Sequence, residues 1–107
     1  MNVRRIGTAA VITLDSHLTG GPAGVAFTDH VRRLVSEGAE HIILDCSGVE
    51  LINSSGLGML VAALATLRSH GGRCTLAAVP EKMQMLLEVT HLDSVFTLCP
   101  SVTDALA

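Results

Sequence analysis

The residues best suited to chemistry in this chain form a run of small polar side chains, Asn53-Ser54-Ser55-Gly56. The run lies between an apolar strand-like segment and an apolar helix-like one. Asn and Ser are both favoured helix N-cap types. A hydroxyl at that place sits beside the free N–H groups of a first helical turn and the positive end of its macrodipole. An anion is tolerated or favoured there. A phosphate on Ser54 would add about −1.5 to −2 charges at pH 7 with little cost to the fold. It would repel a partner that docks through apolar contacts or through an acidic group. The competing reading is that Ser54 serves only as a cap.

Other reactive residue types are scattered. The five His do not cluster, and neither H-x-x-x-H nor H-E-x-x-H occurs, which argues against a metal site. His17 and His30 flank a glycine loop and could meet in space. His70-Gly71-Gly72 has the outline of an oxyanion loop, but G-x-S-x-G is absent, so a hydrolase triad is not expected. Gly56-x-Gly58 and Gly20-Gly21 fall short of any nucleotide fingerprint. No base, nucleophile and orienting group can be assembled, so no enzyme is expected, and no cofactor is implied. Cys46, Cys74 and Cys99 lie far apart with no C-x-x-C. That pattern suits reduced thiols and a cytoplasmic home, with Cys46 and Cys74 as small core residues. Asp45 fits a carboxylate hydrogen-bonded to loop N–H groups.

The elements that must position these residues alternate. Ala9–Leu14 is a buried strand paired with Val3–Ile6 across a Gly7-Thr8 turn. Residues 15–24 read as a loop, neither helix nor strand. A helix over about 25–37 carries the stripe Phe27, Val31, Leu34, Val35 and stops at Gly38. His41–Asp45 is a strand with a continuous apolar centre, as expected for one covered on both faces. A second helix over about 55–69 packs through Leu57, Leu60, Val61, Leu64 and Leu67. Strand 73–78 follows, then a helix with Pro80 at its first position and Met83, Leu86 and Leu87 inside. Val95–Leu98 is the last strand, and Ser101 caps a final turn over 102–106. This order predicts one α/β domain over residues 1–107, with four to five strands in a mixed, largely parallel sheet and four helices.

Composition sets the outer limits. The 107 residues suit one domain. Charged residues make up 16%, against roughly 25% in typical domains, and the two Phe are the only aromatic residues. The core is therefore aliphatic. A net charge of −3 without Trp or Tyr makes the chain a poor candidate for stacking-based single-strand nucleic-acid binding. Arg4 and Arg5 before an apolar stretch outline a signal peptide, but Asp15 and the lack of an A-x-A pattern favour a strand of the mature protein. No apolar run is long enough for a membrane-spanning helix, so no membrane insertion is expected.

The segment Leu44-Asp45-Cys46-Ser47-Gly48-Val49 followed by Asn53-Ser54-Ser55-Gly56-Leu57-Gly58 resembles the signature of STAS domains, the anti-sigma factor antagonist family. The likeness extends along nearly the whole chain, through Gly71-Gly72 before a strand and Pro80 before a helix. It implies a STAS-type fold and a role as a binding module and substrate. Ser54 matches the phosphorylated Ser of that motif, framed by Asn53, Ser55 and Gly56. The implied partners are an anti-sigma factor with a kinase fold and a metal-dependent serine phosphatase that restores the free hydroxyl. The sequence departs from the pattern twice. Asn53 stands where relatives often carry Asp, so no carboxylate precedes the Ser. The loop Ser16-His17-Leu18-Thr19-Gly20-Gly21-Pro22 replaces a shorter Gly-Glu-Leu-Asp segment. In relatives that loop helps contact the partner, which puts His17 and Thr19 in the contact set.

The outward face of the second helix, with Gly58, Met59, Ala62, Thr66 and Ser69, is nearly free of charge. A solvated helix face ordinarily carries Glu and Lys. Met59 and Ala62 are therefore expected to join Ser54 in a docking surface, with a covering loop or a homo-oligomer contact as the competing occupant. Two other functions compete: a STAS regulatory subunit of a transporter or signalling scaffold that works without phosphorylation, and a small nucleotide- or ligand-binding module.

Overall fold

The computed structural model describes all residues 1–107. The elements in order are β1 (Asn2–Ile6), β2 (Ala9–Thr13), β3 (His17–Leu18), α1 (Pro22–Ser36), β4 (His41–Asp45), β5 (Leu51–Ile52), α2 (Ser54–Ser69), β6 (Arg73–Ala77), α3 (Glu81–Val89), β7 (Thr97–Cys99) and α4 (Val102–Leu106). Five strands form the main sheet in the order β1-β2-β4-β6-β7. The β1–β2 hairpin is antiparallel, and every other pairing in that sheet is parallel. The mixed α/β architecture and strand count are those expected from the alternating pattern.

The central strands are apolar on both sides because both faces are covered. Ala10, Ile12, Ile42, Leu44, Cys74 and Leu76 join Phe27, Val31 and Leu34 of α1, Leu57, Leu60, Ala63, Leu64 and Leu67 of α2, and Met83 and Leu87 of α3 in one large core. The alternate residues Val11, Ile43 and Ala77 point the other way, toward Val102 and Ala105 of α4. This is the period-two alternation of a strand put to use on two sides. Cys46 and Cys74 are buried core residues, and burial pushes both thiols up to about 12.

Several expected boundaries move. Residues 15–24 are not all loop. His17–Leu18 pairs in parallel with Leu51–Ile52 as a separate two-stranded ribbon, and α1 begins at Pro22 rather than Val25. A two-residue strand has no side-chain period to read. Pro22 is a sound first helical residue, and Gly21 supplies the positive φ of 68° that turns the chain into the helix. Val61 is 37% exposed, and Ala63 takes its expected place inside. Pro80 is the N-cap of α3, with extended ψ of 157°, so the helix starts one residue later. The last strand is Thr97–Cys99, because Val95 and Phe96 belong to the turn after α3, where Phe96 buries its ring. Ser101 caps α4 as expected, accepting from the Asp104 N–H at 3.1 Å.

Candidate functional site

The run Asn53-Ser54-Ser55-Gly56 opens α2 just beyond the carboxyl end of β5. Asn53 is the N-cap, in extended conformation, and its Oδ1 accepts from the Gly56 N–H at 2.9 Å. Its carbonyl accepts from the Leu57 N–H at 2.9 Å, the first helical bond. Its Nδ2 donates to the Thr19 carbonyl at 3.5 Å, and its own N–H donates to the Leu18 carbonyl at 3.2 Å. Asn53 thus ties the segment after β3 to the start of α2 from both its backbone and its side chain. An aspartate could accept from Gly56 but could not donate to Thr19.

Ser54 is the first residue of α2, and Ser54 and Ser55 are both exposed. Neither hydroxyl is engaged by another protein group, so the capping work is done by Asn53 and not by the serines. No acidic residue occupies the first turn of α2. The N-terminal partial charge of the helix is left without a carboxylate beside Ser54.

Two glycines allow this packing. A side chain on Gly56 would overlap the Leu18 carbonyl. Gly20, at φ of 87°, places its backbone so close to Ser55 that an added methyl would sit 3.1 Å from the Ser55 Cβ. The ribbon holds both approaches. The Ser16 carbonyl accepts from Glu50 at 2.8 Å and from Leu51 at 3.0 Å, which fixes the loop against the segment leading to Ser54.

The expected contact residues divide. Thr19, Asn53, Ser54 and Ser55 come together. Gly56 is buried and acts in packing rather than at the surface. His17 lies on β3, exposed, with its Nδ1 3.0 Å from the Ser16 Oγ. It does not meet His30, which bonds Arg33 instead. Ala62 is exposed on α2 as expected. Met59 is not on the open face. It is half-buried, with its thioether laid on Gly24 of α1, where an added methyl would come within 2.9 Å of the sulfur. Met59 and Ala62 line one groove between α1 and α2, with Phe27, Thr28, Val31 and Arg32 opposite.

Helix α1 contributes to this surface as well, beyond what its apolar stripe indicates. Val25, 64% exposed, lies in the first turns of that helix, and Gly24 is the seat for Met59. The signal was present in Gly21-Pro22, a start marker for a helix earlier than the apolar stripe. Asp45 sits as expected, with Oδ1 accepting from the Ser47 N–H at 3.0 Å. The two stretches that meet at the site, residues 16–28 and 51–67, contain no Asp, Glu, Lys or Arg.

The family model for the STAS domain matches residues 1–105. The chain belongs to the STAS domain family. It is 32% identical over 72 residues to a candidate anti-sigma factor antagonist of Thermotoga maritima. That match covers 67% of this chain and 64% of the relative's length. The crystal structure of a candidate antagonist from the same organism superposes with a TM-score of 0.86 at 24% identity, covering 98% of this chain and 90% of the other. The antagonist SpoIIAA has been solved unphosphorylated and phosphorylated. Those structures align at TM-scores of 0.83 and 0.79, with 18% and 19% identity. They cover 98% of this chain, and 91% and 95% of the respective chains. At these identities the structural matches establish the shared STAS fold. No helix of the chain is long and apolar enough to cross a membrane.

Proposed function

We propose that this STAS domain is an anti-sigma factor antagonist in a partner-switching system, with Ser54 as its phosphoacceptor. The observation that carries this reading is an exposed, unengaged Ser54 hydroxyl at the first position of α2, set between two stretches, residues 16–28 and 51–67, that carry no Asp, Glu, Lys or Arg. The description of the Thermotoga relative as a candidate antagonist supports it. The chain acts as substrate and binding module, and its partner supplies the catalysis.

In the transfer, the Ser54 oxygen attacks the γ-phosphorus of ATP held by a kinase-fold anti-sigma factor. The new P–O bond forms as the bond to the β-phosphate bridging oxygen breaks, and ADP leaves. The hydroxyl proton goes to a base on the kinase, because Asn53 beside it cannot accept one. On this surface the added charge of about −1.5 to −2 is the dominant local charge. Apolar docking over Ser54, Ala62 and the groove between α1 and α2 is then lost, and a serine phosphatase restores it. Thr19, Ser55 and His17 frame the contact from the loop and cap side.

The test is intact mass after incubation with the cognate kinase-fold anti-sigma protein and ATP. The wild type gains one phosphate and Ser54→Ala does not. If both proteins stay unmodified while still binding that partner, the phosphorylation half of the proposal fails. If neither binds, the partner assignment fails.

A further inference from the structure

At the opposite end of the strands from Ser54, the amino ends of β2, β4 and β6 border a cleft of about 400 Å³. Its walls are the Gly7-Thr8 turn, His41 and Arg73, and the end of α4. His41 is a histidine with only 8% of its surface exposed. One ring nitrogen, Nδ1, lies 3.3 Å from an Arg73 guanidinium nitrogen. The other, Nε2, lies 2.7 Å from the Thr75 hydroxyl. A guanidinium can only donate. Nδ1 is therefore the acceptor, and the ring proton sits on Nε2, donated to Thr75.

The guanidinium has no carboxylate partner. The two ion pairs of the fold join the N-terminal ammonium to Asp15 and Arg5 to Glu37. Ala9 from β2, Thr75 from β6, and Ala105 and Leu106 from α4 add no charge to the His41 surroundings, and Ala107, which also lines the cleft, forms no ion pair with His41 or Arg73 through its α-carboxylate. Glu40 and Asp104, the acidic residues adjacent in sequence to these walls, form no ion pair with His41 or Arg73. Burial and the neighbouring Arg73 hold the imidazole below its ordinary range. An unpaired cation and a neutral imidazole, lined up along one cleft, leave a place that an anion would complete.

We propose that this cleft binds a small divalent oxyanion of the sulfate or phosphate kind, held by Arg73 and by doubly protonated His41. Binding takes up one proton from solvent onto Nδ1. The ring then donates from Nε2 to Thr75 and from Nδ1 to the anion, while Arg73 turns its donors from the ring to the anion. The anion offsets the repulsion that otherwise keeps the imidazole neutral beside the guanidinium. Affinity therefore rises as pH falls, whereas a simple surface arginine, charged throughout, holds a sulfate with no pH dependence.

The test is titration of the full chain with sulfate, which stays a dianion throughout. It is followed by the His41 ring signals in NMR at about pH 5.5 and about pH 8, either side of the ordinary imidazole value. Chloride at matched ionic strength is the control. The expected result is saturable sulfate binding, several-fold tighter at the lower pH, with a rise in the His41 midpoint. Arg73→Gln, at an exposed position, removes it without unfolding the chain. His41→Gln, if folded, keeps weak binding and loses the pH dependence. A response to sulfate no larger than to chloride, equal affinity at both pH values, or unchanged binding by Arg73→Gln overturns the proposal.

Discussion

The α-carbon of Gly56 rests directly against the carbonyl of Leu18. This contact fastens the first turn of α2 to the β3–β5 ribbon and leaves no room for any side chain. Gly56→Ala is expected to force the two segments apart at a cost of about 1–3 kcal/mol, the range for overpacking a tight site. Urea unfolding of the variant beside Gly58→Ala is the check. No atom stands within 4 Å of a methyl at Gly58, so that variant should hold or gain stability.

Asn53 does two jobs that can be separated. Asn53→Ala removes the cap and should cost about 1 kcal/mol. Asn53→Asp keeps the acceptor for the Gly56 N–H and adds a favourable charge at a helix N-terminus, but it loses the donor to Thr19. Its global stability should match the wild type. Hydrogen exchange around residues 17–20 should speed up. Equal exchange in both proteins would show that the bond to Thr19 contributes nothing.

Partner capture should depend on Ala62 more cleanly than on Met59. Ala62→Glu places a charge on an exposed helical position and is expected to abolish capture, with stability changed by less than about 0.5 kcal/mol. Met59→Lys would disturb the packing on Gly24 as well, so its loss of capture would report two effects at once. Binding measured by calorimetry, alongside thermal midpoints, separates them.

Stability should fall on mild acidification through His41. Its folded-state pKa is lowered, so between that value and the unfolded 6.5 the unfolded chain binds more protons. This contribution is fully present above 6.5 and is lost as pH falls through that value toward the folded one. In sulfate-free buffer, His41→Gln should flatten the stability profile in that window. A profile equally steep in both proteins would contradict the assignment.

Thiol reactivity should separate the cysteines. Cys46 and Cys74 are buried and pushed up to about 12, whereas Cys99 is partly exposed. An aromatic disulfide reagent at neutral pH should label one thiol per native chain quickly, and the remaining two only on unfolding. Rapid labelling of all three would show that the core opens readily.

Much of this was legible in the residues. Strand His41–Asp45 announced itself by an unbroken apolar centre, and the Ser101 cap by residue type. The Asn-Ser-Ser-Gly run identified the start of α2 to within one residue. What escaped depends on backbone meeting backbone. The β3–β5 ribbon leaves no side-chain pattern, since each strand has only two residues. Met59 looked outward by helical phase alone. Its true place depends on Gly24, whose missing side chain lets a thioether settle between α1 and α2. The neutral tautomer of His41 likewise required the register that sets Arg73 beside it.

The ribbon has one more implication. Its pairs, His17 with Leu51 and Leu18 with Ile52, join positions far apart in the chain, whereas the β1–β2 hairpin joins near neighbours. Contacts between distant positions must close long loops before they repay the lost entropy, and the ribbon shares that burden with the β2–β4 and β4–β6 pairs of the main sheet. The setting of Ser54 is therefore not a local property of residues 53–56 but depends on a segment more than thirty positions earlier in the chain. A chain still emerging or partly collapsed offers the same serine without its frame, and only the finished molecule displays it.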